Sequence, residues 1–381
     1  MPYAQRMGLP QADIGALLHD SPRHAPVTLT LVFINVMVFI LMLFAGASFW
    51  HGDSTIQLAW GASFGPATQD GQWWRLFTAM FLHFGIAHLG LNMWALWDVG
   101  RLVERLYGRW QFALLYLASA TGANLLSLAV NGGTAVCAGA SGGVFSLYGA
   151  LLVFLWRERS QVDPAEFRWL LVAAGGFTAV SLAMGFFVTG IDNAAHVGGL
   201  VCGALLAPVL AKPWSVQSPA PSFIMRCAPA AVLAAGVVII VARLPAPGYR
   251  LSDELKAQAA IRQFLDEDRR LSERWGNLLS TKGRDGVTFE QLAGRIESRV
   301  GAGYQENFEQ LSALRLDPGA PSAATLEELR RYAALRGDAS HVLADGLRNK
   351  DPVKVRNALE SARQAPAMAR RASAPRAAAS R

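Results

Sequence analysis

Long apolar runs alternate with short polar segments over the first two thirds of the chain. A helix that crosses a membrane needs about 20 mostly apolar residues. Seven runs reach or approach that length, and we predict that they are spans: 27–50, 76–97, 110–130, 141–156, 169–189, 194–211 and 227–242. The first run is too long for the core of a signal peptide, so we expect a retained span.

Beyond the seventh run the pattern changes to charged, amphipathic stretches such as 251–275 and 325–335, which are typical of helices in a soluble domain. Thr288 is followed three residues later by Gln291, a spacing that predicts the start of a helix. We expect the one histidine of this region, His341, to lie at the surface.

These patterns predict an all-α protein, in which a polytopic membrane bundle of six core helices and a seventh span precedes a small soluble helical domain. The expected divisions are an N-terminal arm (1–26), a six-helix core (27–211), a linker (212–226), a seventh span (227–243), a soluble helical domain (248–365) and a basic tail (366–381). The tail holds four arginines among Ala, Ser and Pro, so we predict that it is disordered.

The composition favours a membrane protein over a soluble one. Of the 381 residues, 52% are hydrophobic, and the mean hydropathy is +0.26. The net charge of +7 resides mainly in the tail, which we expect to be solvated, although anionic lipid or nucleic acid would also attract it. We predict membrane lipid as a partner and no nucleic acid. Cys137, Cys202 and Cys227 are widely spaced and predict no disulfide framework.

Lysine and arginine are unevenly distributed among the loops. If the N-terminus lies inside, the outer loops carry only Arg75. The inner segments carry Arg6, Arg23, Arg101, Arg105, Arg109, Arg157, Arg159, Arg168, Lys212 and Arg226. The positive-inside rule therefore predicts a cytoplasmic N-terminus and places 248–365 on the outer side of what we expect to be a bacterial plasma membrane.

Polar residues inside apolar runs are costly and by default mark function. Ser141 opens the fourth run between glycines, at a loop-to-helix junction whose free N–H groups suit a developing negative charge. His196 opens the sixth run at a similar predicted depth. Gly199 and Gly203 form a Gly-xxx-Gly surface that allows two helices to approach closely. We therefore predict that the hydroxyl lies within reach of the imidazole, as an activated nucleophile requires.

The second run carries a further polar pair. His88 and Asn92 are four residues apart and share one helical face. We expect both to stabilise a tetrahedral oxyanion, where one donor is worth about 3 kcal/mol. The alternative is a hydrogen-bonded pair that only joins helices, worth about 1 kcal/mol. His83 does not share that face and is expected to support a loop.

A metal site and an acidic third catalytic residue are the remaining alternatives. Zinc motifs usually place two ligands at i and i+4, which His83 and His88 do not match. Asp192 lies four residues before His196, but a buried anion is costly, so a loop role is favoured. We therefore predict a Ser–His dyad, a known variant of the triad, with no metal and no cofactor.

The motifs resemble those of the rhomboid family of intramembrane serine proteases. Gly139–Gly142 (Gly-Ala-Ser-Gly) resembles the family's nucleophile motif. His196 followed by Gly199 and Gly203 resembles its general-base helix, and Asn193 stands where the family often has Asn. The resemblance covers about residues 27–211.

The second-span and first-loop signatures are similar as well. His88 and Asn92, with His83 upstream, resemble the second-span signature, and Trp74-Arg75 resembles the Trp-Arg pair of the long first loop. The resemblance implies six core helices around an outward-opening site, with single-pass transmembrane proteins as substrates, cleaved in or near the membrane.

Further expectations about residue roles come from the same resemblance. It implies that the Ser141 N–H, His88 and Asn92 bind the oxyanion, and that the fifth span gates substrate access. Phe145 replaces a Tyr that often stacks on the histidine in the family. It keeps the aromatic face without the hydroxyl, so we expect activity to survive.

Two other functions are weighed against proteolysis. A non-catalytic rhomboid-like protein that binds and escorts membrane clients usually lacks the serine or the histidine, and both are present here. A transporter or channel would favour charged residues inside spans or paired repeats with broken helices, and neither pattern is found.

Overall fold

A computed structural model describes the chain except for residues 1–24, 51, 53, 133–134, 161, 213–221, 281–285 and 374–381, together with the side chains of 366–373. Nearly all of the predicted arm, most of the linker and the end of the tail therefore lie outside the described residues. About 80% of the structure is helical, which confirms the all-α prediction. The chain divides into two compact units, Met1–Pro247 and Gly248–Arg381.

The first unit consists of ten helices in its described part, which vary widely in length. They are α1 (Pro26–Phe44), α2 (Ser54–Trp60), α3 (Gly65–Thr68), α4 (Arg75–Thr78) with a 3₁₀ turn (Ala79–Phe81), α5 (Ile86–Tyr107), α6 (Arg109–Asn131), α7 (Ser141–Glu158), α8 (Pro164–Phe187), α9 (Asn193–Leu210) and α10 (Phe223–Ala242). By length and composition, α1, α6, α8, α9 and α10 can cross a membrane, and the bent pair Arg75–Phe81 with Ile86–Tyr107 would make a sixth span.

The second predicted span, 76–97, has the wrong boundaries. The segment before α5 is separately helical and meets α5 at an angle of 92°. The break follows from Gly85, which precedes α5 with φ of 100°. A Cβ at Gly85 would lie 2.4 Å from the carbonyl oxygen of Trp50. The first loop therefore approaches the start of α5 at a position where only glycine fits.

Helix α7 is not apolar enough over its length to count as a membrane span, although the sequence predicts a span at 141–156. It begins with small, polar residues and ends with Arg157 and Glu158. Most of its residues are buried, and it packs against α5, α6, α8 and α9. A helix enclosed by protein does not need a lipid-compatible surface on every side, so α7 is the central helix of the bundle.

The N-terminus of α1 is bound to the far end of α5. The carboxylate of Glu104 accepts hydrogen bonds from the N–H groups of Val27 at 3.0 Å and Thr28 at 2.7 Å. These donors have no partner within their own helix because they belong to its first turn. The contact places the start of α1 and the end of α5 on the same side of the bundle.

The second unit consists of five α-helices and one π-helical turn in its described part. They are α11 (Leu251–Ser280), α12 (Phe289–Ile296), the π turn (Glu297–Gly301), α13 (Ala302–Ala313), α14 (Ala323–Arg348) and α15 (Pro352–Ser373). Thr288 and Gln291 form the predicted capping box at the start of α12. His341 is exposed as predicted, with its Nδ1 3.5 Å from Glu297. Helix α15 extends to Ser373, which lies inside the segment 366–381 that the sequence predicts to be disordered.

The core of the second unit contains a polar group among its aromatic residues. The hydroxyls of Tyr304 and Tyr332 both donate to one oxygen of Asp268, at 2.7 and 2.8 Å. The Arg336 guanidinium lies 5.0 Å from the ring centres of Trp275 and Tyr304. Shared hydrogen bonds and cation–π contacts of this kind fix how helices pack in a core.

Candidate active site

Ser141 is the first residue of α7. The N-cap residue, Ala140, has no side chain that can cap this helix, and no other cap is found among the described residues, so the N–H groups of the first turn are donors available to a ligand. The preceding Gly139 has φ of 143°, and a Cβ there would lie 3.0 Å from Cε1 and Nε2 of His88. Glycine is therefore required at this position, and the loop before Ser141 lies directly against the His88 ring.

Helices α7 and α9 contact each other backbone to backbone. A Cβ at Gly199 would lie 2.0 Å from the carbonyl oxygen of Gly142, and a Cβ at Gly203 would lie 2.0 Å from that of Ser146. Neither distance leaves room for any side chain. The predicted Gly-xxx-Gly surface on α9 is therefore in contact with α7, and the contact begins at Gly142, next to Ser141, and at Gly199, about one turn after His196.

His196 lies on α9 with its ring against Phe145. The two ring centres are 4.1 Å apart and the ring planes differ by 8°. Phe145 is four residues after Ser141, so it shares the same face of α7. Within the described residues, Nδ1 of His196 is buried without a hydrogen-bond partner, and no hydrogen bond joins the imidazole to Ser141. Such contacts often tighten only when substrate binds.

His88 and Asn92 lie on one face of α5. The N–H of Phe84 donates to Nδ1 of His88 at 3.3 Å. A neutral imidazole that accepts at Nδ1 carries its proton on Nε2, the atom that faces Gly139. The side-chain amide of Asn92 donates to the His88 carbonyl at 2.9 Å, so one of its two hydrogens is already used within α5.

His83 lies in the loop before α5 and is buried. Its Nε2 accepts a hydrogen bond from the N–H of Ala140 at 3.5 Å, and its carbonyl accepts one from the Gln57 amide at 3.1 Å. Its ring also meets the His88 ring edge to face, with centres 5.0 Å apart. His83 thus connects the first loop to the segment that carries Ser141.

Trp74 and Arg75 lie in the first loop and make no contact with Ser141 or His196 in the described part of the chain. The Arg75 guanidinium donates to the carbonyls of Leu58 at 2.6 Å and Ala62 at 3.0 Å. The same group lies 4.8 Å from the centre of the Trp74 ring. The pair therefore holds the loop together rather than lining the site.

Asn193, at the start of α9, connects this helix to α8. Its side-chain amide donates to the carbonyl of Leu182 at 3.0 Å. A Cβ at Gly185 would lie 2.0 Å from Oδ1 of Asn193, so α8 passes close to the amide. Asn193 therefore attaches the helix that carries His196 to its neighbour.

Three residues near the site are absent from the sequence-based prediction. A Cβ at Gly149 would lie 2.2 Å from the Leu200 carbonyl, so a third glycine belongs to the contact between α7 and α9. Its position eight residues after Ser141, on the same helical face, was the available signal. Tyr148 and Phe177 stack with ring centres 4.4 Å apart, a contact between α7 and α8 that periodicity does not reveal.

No group of three or more metal-ligating side chains occurs among the described residues.

The helices and the polar residues between them define an integral, multi-pass membrane protein. A family model for the Rhomboid domain matches residues 70–213. "RHOMBOID-like protein 6, mitochondrial" of Arabidopsis thaliana is 30% identical over 223 residues, which cover 50% of this chain and 70% of that protein. The chain belongs to the rhomboid family.

Bacterial relatives are similar over the same region. "Rhomboid protease GluP" of Bacillus subtilis is 36% identical over 188 residues, covering 49% of this chain and 35% of GluP. "Rhomboid protease AarA" of Providencia stuartii is 28% identical over 200 residues, covering 47% of this chain and 70% of AarA. The chain thus spans little more than a third of the length of GluP.

Proposed function

We propose that this protein is an intramembrane serine endopeptidase, with Ser141 as nucleophile and His196 as general base. The observation that carries the proposal is the glycine contact between α7 and α9, where a Cβ at Gly199 would lie 2.0 Å from the Gly142 carbonyl. Helices this close bring residues at their outer ends together. The stacking of His196 on Phe145 supports the same arrangement, because Phe145 and Ser141 share a helical face.

The reaction is acyl transfer in two steps. His196 removes the proton from Ser141 Oγ as this oxygen attacks the scissile carbonyl carbon, and a tetrahedral oxyanion forms. The C–N bond then breaks, and the imidazolium gives its proton to the leaving nitrogen. Water attacks the acyl-enzyme with His196 again as base, which releases the carboxyl product and restores the Ser141 hydroxyl.

In the proposed reaction three donors stabilise the oxyanion. These are the N–H of Ser141, the Nε2–H of His88 and the second amide hydrogen of Asn92. The Phe84 hydrogen bond to Nδ1 supports the His88 assignment, because it leaves the proton on Nε2. Loss of one such donor costs about 3 kcal/mol, or roughly a hundredfold in kcat.

We propose single-pass transmembrane proteins as substrates, cleaved in or near the membrane. The protein would lie in a bacterial plasma membrane with its N-terminus in the cytoplasm, so that α7 and α9 begin at the outer face. In this arrangement α8 would control substrate access. Among the five helices that are long and apolar enough to cross a membrane, a smaller share of α8 is buried than of α1, α6 and α9. Helix α8 contacts α7 through Phe177 and α9 through Asn193.

The test is cleavage of a single-pass model substrate by the purified protein in proteoliposomes, with fluorophosphonate labelling alongside. Ser141→Ala is expected to abolish both cleavage and labelling. Ser119→Ala is the matched control, because its buried hydroxyl on α6 has no hydrogen-bond partner in the described part. Cleavage that persists in Ser141→Ala would disprove the dyad. A wild-type protein that binds the substrate but is never labelled would instead support a non-catalytic escort.

A further inference from the structure

Asp192 is the residue that begins α9, the helix of the proposed general base. Its Oδ1 accepts a hydrogen bond from the N–H of Ala195 at 3.0 Å, and its main-chain oxygen accepts one from the N–H of His196 at 3.1 Å. The first turn of α9 is therefore built around Asp192, and His196 is attached to it through the backbone.

The same carboxylate is held by a second helix. The Ser127 hydroxyl donates to Oδ2 in a short hydrogen bond, and the Asn131 amide donates to Oδ1 at 3.3 Å. Ser127 and Asn131 are four residues apart on α6, so they form one face, and they also bond to each other at 3.1 Å. Hydrogen bonds to a charged group are stronger than neutral ones. The outer end of α6 thus fixes the start of α9.

The contacts of Ser127 extend to the segment that leads to Ser141. Its Oγ lies 3.3 Å from Sγ of Cys137, four residues before the proposed nucleophile. The backbone of Cys137 is in turn paired with Ser63 in an isolated bridge. One serine on α6 therefore contacts both the start of the histidine helix and the loop that precedes the serine helix.

Asp192 makes no hydrogen bond to the His196 side chain among the described residues. Its oxygens are occupied by Ala195, Ser127 and Asn131, and Nδ1 of His196 is without a partner in this part of the chain. It therefore lacks the contact that defines the third member of a triad. Its effect on the reaction can come through the position of α9 or through its negative charge, and Asp192→Asn removes only the charge.

We propose that Asp192 is a positioning residue, which sets the depth and rotation of the first turn of α9 through Ser127 and Asn131 and thereby places the His196 imidazole opposite Ser141. The inference rests on the proposed function. A displacement of a reacting group by about 1 Å can lower the rate by about a hundredfold. The competing explanation is ordinary helix capping, which stabilises the fold without a specific effect on turnover.

The chain offers a matched control for capping alone. Asp163 caps α8, accepting hydrogen bonds from the N–H groups of Ala165 at 2.8 Å and Glu166 at 3.3 Å. It is exposed, and these two bonds lie within its own helix. Asp163→Ala therefore removes an aspartate cap and no bond between helices. Asp192→Ala removes an aspartate cap and also the hydrogen bonds between α6 and α9.

The experiment measures kcat and KM for a single-pass model substrate in proteoliposomes, using the complete chain. We expect Asp192→Ala to lower kcat about a hundredfold with KM within about twofold, and Asp163→Ala to leave kcat unchanged. Asp192→Asn is expected to restore kcat to within about threefold of wild type. Its amide oxygen still accepts from Ala195, and the Ser127 hydroxyl can accept from its amide nitrogen.

Ser127→Ala keeps the Asp192 cap and its negative charge and removes only the hydrogen bond from α6. It therefore tests the contact between α6 and α9 even if Asp192→Ala fails to fold. We expect about a tenfold lower kcat, again with little change in KM. Three results would each overturn the inference. The first is a wild-type kcat in Ser127→Ala, and the second is an equal loss of kcat in Asp163→Ala and Asp192→Ala. The third is an Asp192→Asn variant as slow as Asp192→Ala. If the wild type neither cleaves nor reacts with fluorophosphonate, the proposed function itself fails, which is a separate result.

Discussion

Phe145 and His196 stack face to face, with ring centres 4.1 Å apart and an angle of 8° between the ring planes. The contact joins the serine helix α7 to the histidine helix α9 at the level of the proposed dyad. It also covers one face of the imidazole, so the ring cannot turn freely. An aromatic contact of this kind is worth about 0.5–1.5 kcal/mol beyond the area it buries.

Phe145→Leu is therefore expected to lower kcat by about threefold to tenfold, because the imidazole loses the surface that holds its plane. Phe145→Tyr keeps the ring and is the matched variant, for which we expect activity close to wild type. The measurement is kcat for a model transmembrane substrate. Equal activity of the Leu and Tyr variants would show that the stack does not orient His196.

Gly199→Ala tests the backbone contact between α7 and α9. The added Cβ would lie 2.0 Å from the Gly142 carbonyl oxygen, and backbone cannot move aside as a flexible side chain can. We expect the free energy of unfolding to fall by about 1–3 kcal/mol and the variant to lose its cleavage of the model substrate. Gly236→Ala on α10 is the control, since no atom of the described residues lies within 4 Å of its Cβ position. Thermal unfolding in detergent measures both variants, and an unchanged midpoint for Gly199→Ala would contradict the contact.

The second unit is expected to lose stability in alkali. Burial raises the pKa of Tyr304 and of Tyr332 above the ordinary 10.0, and the Asp268 carboxylate adds to the effect. The unfolded phenols ionise near pH 10 while the folded ones keep their protons. The stabilisation is therefore complete below about pH 10 and is lost as the pH rises toward the folded-state values.

Hydrogen exchange of 251–365 in the complete chain, from about pH 9 to about pH 11, measures this loss. The double substitution Tyr304→Phe with Tyr332→Phe removes the ionisable groups. It should flatten the pH dependence of exchange protection after correction for the intrinsic exchange rate. The same slope in both proteins would assign the alkaline sensitivity to other groups.

The distribution of Lys and Arg predicts that residues 248–365 lie outside the cytoplasm. Alkaline phosphatase fused after residue 365 should be active, and a fluorescent protein that matures only in the cytoplasm should be dark at the same point. The same reporters fused after Lys212, on the predicted inner side, should behave in the opposite way. A bright fluorescent fusion after residue 365 would reverse the predicted orientation.

Local sequence patterns were sufficient for most helices but not for every boundary. The predicted 110–130 matches α6 (Arg109–Asn131), and the capping box at Thr288 is present. The start of α5 was misplaced because the break at Gly85 depends on Trp50, a residue distant along the chain that approaches its backbone. Hydropathy within one segment carries no information about such a contact.

The site could be predicted to a similar extent. Gly199 and Gly203 were recognised as a packing surface because small residues four apart mark one helical face. Gly149 was missed, since a single glycine in an apolar helix is also consistent with loose packing. The use of one Asn92 hydrogen by the His88 carbonyl depends on the side-chain rotamer, which no spacing specifies.

The sequence alone determined most of the long helices, most of the segments that suit a membrane, and which few polar side chains are available for chemistry. Tertiary structure decided which faces meet: Phe145 with His196, and Asp192 with Ser127 and Asn131. The physical reason is that helices such as α8 and α9 are apolar on most sides. Their periodicity does not define their rotation, which only close packing between distant segments can fix.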